Sequence, residues 1–555
     1  MTIRREGLAV FVAGYLVHAA LALVMRVPIV MYDEYGYFAT ARRLVGEGQA
    51  THLRYHPGYA FVLMPAFLVT SSSDGAYEVS LLVVNGLLGA LTTLLVWHLV
   101  RVFAPAASRR VRLLATLAVA VYPSWLLYTD LTWSENLLVP IGAALVLLAG
   151  RLARGAPPWL VVGYGLLAGS AYLSHPRGLA LTGSAVVVGL VVLSPAGRLL
   201  RAGLLVVSAA TITVLTPAVT RWTTDSAGWK SQSFLQGFGV GDVPHLLAAI
   251  GGQLFYLAAA TYGLAPLGLY ALVCLVRRDG VRSEAGAVAL AALAAAAGML
   301  LVSGIFWHDL FRSDQTIYGR YNEATLAPIL VAGVLALVTV PLDRRRIVTM
   351  LAPIALLWTI PLLVWDAALR GTDPVNFNIL GVAPVVALGH GVQPFTIAVA
   401  HGFAAVVLVV VARRHRQVAL IGLCAWLALF SLGIEMGLFR TGSRDRAGEQ
   451  RITAKLRQIA SVVPGAQRCV AFDRRTVDVF AASSYRYRVD GWRFAQPGEK
   501  ACADLFLIRL PVDQIPALAP GARIVARERK GSTNTLWVRP GALQDALVKA
   551  GLLEG

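Results

Sequence analysis

The apolar stretch VFVAGYLVHAALALV, residues 10–24, is followed closely by the acidic segment MYDEYGYFATARRL, residues 31–44. The apolar stretch is long enough to form most of a membrane span. The basic start MTIRRE, with no small-residue cleavage site after it, makes this an uncleaved first span rather than a signal peptide. Asp33 and Glu34 then stand beside the membrane, where a carboxylate is costly unless it faces water or a partner. These two acids are therefore the first candidates for function.

The composition predicts a polytopic membrane protein. The chain has 555 residues, of which 57% are hydrophobic, and a mean hydropathy of +0.66. Apolar stretches of roughly 16–22 residues recur along it. The net charge of +19 does not point to nucleic acid. Most arginines stand in short clusters between apolar stretches, as the positive-inside rule requires of cytoplasmic loops.

Placing every arginine cluster on the cytoplasmic side predicts about thirteen spans, with the N-terminus inside and the C-terminus outside. The predicted spans are 8–25, 80–100, 113–128, 134–150, 159–173, 179–194, 202–219, 246–275, 285–305, 323–341, 347–365, 395–412 and 418–438. The first external segment, 26–79, contains YHPGYAFVLMPAFLV (55–69), which we interpret as a helix at the membrane interface. Because the cytoplasmic loops are short and basic, we expect the function to lie on the external face.

Near residue 440 the composition turns polar. This change divides the chain into a transmembrane domain, 1–439, and a soluble extracytoplasmic α/β domain, 440–555. The polar part is predicted to contain an amphipathic helix at 449–463, strands at 468–473, 503–510, 523–528 and 534–540, and a closing helix at 542–552. Cys469 and Cys502 lie in this domain, and the sequence leaves open whether they form a disulfide bond or remain free thiols.

Acidic residues occur in the first two external segments. Asp33 is a candidate general base, because a carboxylate near a partly dry site gains basicity. The alternative is that Asp33 and Glu34 cap the helix that follows them. Asp130 and Glu135, in YTDLTWSEN (128–136), could converge with Asp33 or could serve only as an N-terminal signal for the next span.

Basic and aromatic residues also gather on the predicted external side. The basic ones are Arg54, His56, Arg177 and Arg320. They oppose the positive-inside trend, and a phosphate at the outer leaflet would explain them, since arginine binds phosphate through a bidentate fork. The alternatives are lipid-headgroup anchoring or, for Arg320, a salt bridge to Glu323 or Asp309. Most of the aromatic residues, Trp133 among them, are expected to form an interfacial belt.

In the order and placement of these elements the chain resembles the GT-C glycosyltransferases. The closest likeness is to the branch that contains the polyprenyl-phosphate-mannose protein mannosyltransferases and the lipid A aminoarabinose transferase. The matching elements are Asp33–Glu34, HPGYAFVLMPAF (56–67), YPSWLLYTDLTWSENLL (122–138), GLLAGSAYLSHPRG (165–178), GRYNEATLAPIL (319–330) and the final soluble domain. The resemblance covers most of the chain, with short motifs.

The resemblance implies an α-helical polytopic enzyme of the GT-C type with a small C-terminal α/β domain. Such an enzyme moves a sugar from a polyprenyl-phosphate monosaccharide to an acceptor hydroxyl on the outer face, with inversion. By position, Asp33 matches the general base, with Glu34 supporting it. Glu135, or as a weaker match Asp130, corresponds to the second acidic site, which orients the acceptor or a metal ion.

The groups that hold the donor phosphate correspond to Arg54, His56, Arg320 and Arg177. Two departures weaken the match: the family's proline pair is reduced to His56–Pro57, and the second acid is ambiguous between two positions. Some relatives use a divalent cation and others do not, so a metal cofactor stays open. No nucleotide is implied, because the phosphosugar bond supplies the energy.

Two other functions remain open: an O-antigen ligase or polymerase with a lipid-diphosphate donor, and a non-catalytic lipid or glycan transporter. The concentration of acids in the first external loops favours the transferase. The Ala-, Gly-, Arg- and Val-rich composition is typical of a high-GC bacterium. In such a bacterium the enzyme would lie in the plasma membrane and use decaprenyl-phosphate arabinose or mannose. The sequence leaves the sugar open, and also the choice among a protein, lipid or glycan acceptor.

Overall fold

A computed structural model describes the greater part of the chain. The described residues are 3–23, 32–46, 55–70, 72–193, 195, 197–223, 239, 242–306, 313–339, 376–388, 392–439, 449–465, 468–472, 485, 488–489, 492–495, 504–509, 520–529 and 532–554. Arg54, Asp309, Cys502 and the predicted span 347–365 lie outside them, so the expectations for these residues stay predictions.

The described part of residues 3–439 is almost entirely helical. Its α-helices are α1 (Ile3–Ala22), α2 (Tyr32–Leu44), α3 (Gly58–Val69), α4 (Ser73–Val79), α5 (Gly86–Phe103), α6 (Arg109–Ala120), α7 (Pro123–Tyr128), α8 (Glu135–Ala153), α9 (Pro158–Ser174), α10 (Gly178–Val192), α11 (Arg198–Thr223), α12 (Val243–Ala260), α13 (Leu264–Asp279), α14 (Glu284–Phe306), α15 (Ser313–Thr316), α16 (Leu326–Thr339), α17 (Ala383–Leu388), α18 (Pro394–Arg414) and α19 (Arg416–Ile434). Ser80–Asn85 and Glu435–Phe439 are π-helical, and Asn322–Thr325 and Asn376–Asn378 are 3₁₀-helical.

Among the described residues, nine helices are long and apolar enough to cross a membrane, so the chain is a multi-pass membrane protein. Two predicted spans are wrong as single helices: 113–128 is divided into α6 and α7, and 246–275 is divided into α12 and α13. The second of these breaks is the sharper one. The chain breaks at Tyr262 (φ 52°) and Gly263 (φ 80°), in the left-handed conformation that commonly ends a helix. The unbroken apolar run hid this ending.

Small residues let several of these helices approach closely, which is how helices associate where water supplies no hydrophobic drive. At the crossing of α13 and α16, a Cβ added to Gly268 would lie 1.9 Å from the carbonyl oxygen of Ile329. A Cβ added to Gly333 would lie 2.1 Å from the carbonyl oxygen of Leu264. This crossing places the residues that precede α16 at one end of the helical core.

The C-terminal part forms a five-stranded sheet. Its strands are β1 (Cys469–Phe472), β2 (Arg493–Ala495), β3 (Leu505–Arg509), β4 (Arg523–Arg529) and β5 (Ser532–Val538), in the order β2-β1-β3-β5-β4. β1 is parallel to β2 and β3, whereas β5 is antiparallel to β3 and β4. The four predicted strands are confirmed, and β2 was missed because three residues carry no readable alternation.

Two helices accompany this sheet, α20 (Glu449–Ile459) and α21 (Ala542–Lys549), both at predicted positions. Ile452, Leu456 and Leu547 join the strands in one apolar core. Cys469 is disulfide-bonded.

Replacing Gly333 with alanine should destabilise the protein, because the new methyl group would meet backbone rather than a movable side chain. We expect a lower thermal midpoint in detergent, corresponding to about 1–3 kcal/mol. Gly422→Ala is the matched control, since no atom lies within 4 Å of its added Cβ and alanine is the better helix former. Equal midpoints for the two variants would contradict the close crossing.

Candidate active site

One guanidinium group joins the two acidic segments that the sequence singles out. Arg320 lies just before α16, and its Nη1 donates to Asp33 Oδ2 at 2.7 Å. Its Nε donates to Glu135 Oε1 at 2.5 Å and its Nη2 to Glu135 Oε2 at 3.2 Å. Arg320 therefore does form a salt bridge, the alternative to a phosphate role in the sequence analysis, but its partners here are Asp33 and Glu135. These hydrogen bonds join residues that are 287 and 185 positions apart in the sequence.

Packing and backbone contacts hold Arg320 in this place. The Trp133 ring covers the guanidinium, with 3.6 Å between the Cζ atom and the ring centroid. The backbone N–H groups of Gly319 and Arg320 both donate to the carbonyl oxygen of Asn378 at 3.1 Å. Trp133 was expected in the interfacial belt, but it is 2% exposed. An aromatic residue in an external loop does not reveal a cation partner distant in sequence.

Glu135 is fully buried between two arginines. Besides Arg320, it accepts a hydrogen bond from Nη2 of Arg177 on the same Oε1 atom. Arg177 is itself fully buried, and its Cζ lies 4.1 Å from the centroid of the Tyr321 ring. Arg177 therefore neutralises Glu135 here, and a phosphate could reach it only after rearrangement. Ser134 makes no capping hydrogen bond to the backbone of α8, and its hydroxyl instead donates to Glu135 Oε2 at 3.4 Å.

Asp33 and Glu34, both in the first turn of α2, point to different surroundings. The Asp33 side chain is 28% exposed and accepts from the Tyr55 hydroxyl at 2.6 Å. Glu34 is fully buried and accepts from the Tyr77 hydroxyl at 3.0 Å and from Thr132 N and Oγ1 at 2.7 and 2.9 Å. Glu34 thus fastens the loop that leads to Glu135, while Asp33 alone of the site's acids reaches solvent.

Asp130 is not part of this arrangement. It is fully buried, and its carboxyl group lies beside that of Glu435. Burial and the nearby Glu435 carboxyl raise the pKa of Asp130 well above its usual range. Of the two candidates for the second acid, the structure brings only Glu135 to Asp33 and Arg320.

His56 is held away from any ionic role. Its Nδ1 lies 2.5 Å from the carbonyl oxygen of Tyr172, which can only accept, so Nδ1 carries the proton. Burial lowers the pKa of His56 to about 4. A neutral ring that has used its only N–H has no proton to offer a phosphate. His56 instead ties the start of α3 to the end of α9.

Glu323 is a site residue that the sequence did not identify as such. It is fully buried and accepts hydrogen bonds from four hydroxyl groups, those of Tyr122, Ser124, Tyr128 and Tyr256. Tyrosines near a membrane boundary usually indicate interfacial anchoring. The sequence around them therefore gave no sign that three of these tyrosines bind one carboxylate.

No group of three or more His, Cys, Asp or Glu side chains that could hold a metal ion occurs among the described residues. A cation between Asp33 and Glu135 would need the position that the Arg320 guanidinium takes. The present arrangement of these side chains therefore does not fit a metal ion.

No family model matches the chain, and no curated protein matches its sequence. Its fold resembles ArnT from Cupriavidus metallidurans. The form bound to undecaprenyl phosphate has a TM-score of 0.55 at 17% identity over 97% of this chain and 98% of that one. The apo form has a TM-score of 0.57 at 18% identity, over 98% and 99%.

The match to the archaeal oligosaccharyltransferase AglB from Archaeoglobus fulgidus covers 91% of this chain and 69% of the AglB chain, at 12% identity and a TM-score of 0.45. That likeness is too low to carry an argument. The near-complete match to ArnT confirms the predicted fold class as far as the fold goes: an α-helical multi-pass membrane protein with a small C-terminal sheet domain, folded like ArnT.

Because His56 is buried and neutral, the free energy of unfolding should fall as the pH is lowered. Its folded pKa of about 4 lies below the ordinary 6.5, so the unfolded chain binds the proton first as pH falls. Between pH 7.5 and pH 5.5 the free energy of unfolding therefore falls by about 1.3 kcal/mol. We expect His56→Asn, which keeps an N–H for Tyr172 but cannot titrate, to narrow the difference in thermal midpoint between these two pH values.

His415→Asn is the control for this measurement, because His415 is exposed. It should leave the pH dependence of the thermal midpoint unchanged. An unaltered pH dependence in His56→Asn would show that His56 is not the buried neutral ring described here.

Proposed function

We propose that this chain, with its ArnT-like GT-C fold, is a glycosyltransferase that uses a polyprenyl-phosphate monosaccharide and transfers the sugar to an acceptor hydroxyl on the external face of the membrane. The observation that carries the proposal is the bridge of Arg320 between a partly exposed Asp33 and a buried Glu135. It places a candidate base and a candidate phosphate-binding group in direct contact.

Asp33 is the proposed general base. It is the one acid of the site with access to water, and a base must touch the hydroxyl that it deprotonates. In this structure Arg320 donates to Asp33 Oδ2, so this oxygen is not open to an acceptor hydroxyl. A donor phosphate, as a second anion, competes for the same guanidinium and would release Asp33 when the donor is bound.

Arg320 is the proposed phosphate ligand. Its planar fork suits a phosphate as well as a carboxylate, and holding the phosphate stabilises the charge that develops as it leaves. Glu135 remains neutralised by Arg177 during such an exchange, so no buried charge is left alone. Arg54 stays a further candidate for this role, whereas the neutral His56 is a positioning residue in our proposal.

The transfer itself would be one in-line displacement. The acceptor hydroxyl gives its proton to Asp33, and its oxygen forms a bond to the anomeric carbon. The bond from that carbon to the phosphate oxygen breaks, and the polyprenyl phosphate leaves with the electron pair. A single displacement inverts the linkage. We further propose a bacterial plasma-membrane location, with the N-terminus cytoplasmic and the 440–555 domain outside beside the acceptor, and a hexose or pentose such as mannose or arabinose.

The proposal is tested by sugar transfer from synthetic polyprenyl-phosphate monosaccharides with purified protein. Removing the base with Asp33→Asn should lower kcat by about 100- to 10,000-fold at an unchanged thermal midpoint. Asp130→Asn is the matched control, because Asp130 is an acid of the neighbouring external segment with no contact to Arg320 described. It should keep turnover.

Full turnover in Asp33→Asn would remove Asp33 from the role of base. Turnover only on lipid-diphosphate donors would favour a ligase or polymerase. Absence of transfer from every donor, with binding of the lipid retained, would favour a transporter.

A further inference from the structure

Glu323 lies three residues after Arg320 and is surrounded by hydroxyl donors. Tyr122 donates to Oε1 at 3.0 Å, Ser124 at 2.7 Å and Tyr256 at 2.5 Å, and Tyr128 donates to Oε2. The backbone carbonyl of the same residue accepts from Trp125 Nε1 at 3.1 Å. We call these five donors and the carboxylate the Glu323 cage. No basic side chain pairs with Glu323 in the part of the chain that the structure describes.

A fully buried carboxylate is costly unless its lone pairs are used. A carboxylate offers about four acceptor positions. Four hydroxyl groups donate to Glu323, three to Oε1 and one to Oε2, so both oxygens are engaged. A buried carboxylate held in this way acts through the elements that it holds together.

The first of these elements is the segment leading to Glu135. Tyr122 directly precedes α7 and Tyr128 is the last residue of α7. From Tyr128 the chain reaches Glu135 within seven residues. Asn136 Nδ2 donates to the Tyr128 carbonyl at 2.9 Å and to the Leu131 carbonyl at 2.7 Å. The cage thus anchors the loop whose end presents Glu135.

The second element is the segment that holds the backbone of Arg320. The Tyr256 hydroxyl, while donating to Glu323, accepts from the backbone N–H of Gly381 at 3.1 Å. Three residues earlier, the Asn378 carbonyl accepts from Gly319 N and Arg320 N. One carboxylate therefore fixes both the loop of Glu135 and the backbone of Arg320, the two halves of the central ion pair.

We propose that Glu323 is a positioning residue that sets the distance and orientation between Arg320 and Glu135, and so places the guanidinium for the donor phosphate. The inference rests on the function proposed above for its catalytic consequence. Its structural core, that Glu323 couples Arg320 to Glu135, can be measured without any substrate.

The substrate-free test is a double-mutant cycle of Arg320→Lys and Glu135→Gln, read as unfolding midpoints in detergent. Contacting partners give non-additive effects. We expect the coupling seen in the natural background to disappear with Glu323→Gln and to persist with Tyr164→Phe. The latter is a matched control that deletes another buried hydroxyl, one bonded to the Ala185 carbonyl at 3.1 Å. An equal coupling in the Glu323→Gln background would overturn the proposal.

The kinetic test separates positioning from general loss of structure. Glu323→Gln, and more mildly Tyr256→Phe, should raise the KM for the donor, by about ten-fold for Glu323→Gln, with the KM for the acceptor unchanged. A purely structural role would lower the active fraction, and so the apparent kcat, at constant KM for both substrates. That second pattern would contradict positioning. Absence of wild-type turnover would instead count against the proposed function and leave the cycle as the deciding measurement.

Discussion

An ionised side chain removed from water must be paired, and the candidate active site of this protein depends on one such pairing. Arg320, 6% exposed, holds Glu135, fully buried, and Asp33, partly exposed. Of these three, Glu135 is the one whose removal would be strongly unfavourable, because the fully buried Arg177 would lose the carboxylate that it pairs with here. The segments that carry them, α2, the start of α8 and the approach to α16, are therefore held together by charge as well as by packing.

The other polar residues near this ion pair serve it indirectly. Arg177 neutralises the second side of Glu135, Glu34 fastens the preceding loop through Thr132, and Glu323 is held by hydroxyl groups. These three buried acids thus have two kinds of partner: Glu135 meets arginines, whereas Glu34 and Glu323 accept hydrogen bonds from neutral donors. Exposure distinguishes Asp33 from the rest, and it is what a group that handles a substrate proton requires.

How far the site was predictable depends on whether its signals were local. Asp33 and Arg320 were candidates because each is charged at a membrane boundary, and the structure brings them into contact. Asp130 and Glu135 could not be distinguished, because both follow the same apolar stretch. Only the three-dimensional arrangement shows that Glu135 meets the arginines while Asp130 lies beside Glu435. The burial of Trp133 and His56 was not predicted for the same reason, since burial against a distant partner leaves no trace in neighbouring residues.

The sequence by itself determined that the chain is a multi-pass membrane protein, and it located four of the five strands of the C-terminal sheet. Hydrophobic length and the alternation of apolar residues are local properties, so they can be read without knowing the tertiary structure. Tertiary structure alone decided where the apolar run 246–275 breaks, which acid faces Arg320 and which hydroxyl groups enclose Glu323. Those outcomes arise from pairing between residues tens to hundreds of positions apart, and pairing energy depends on distance in space rather than on distance along the chain.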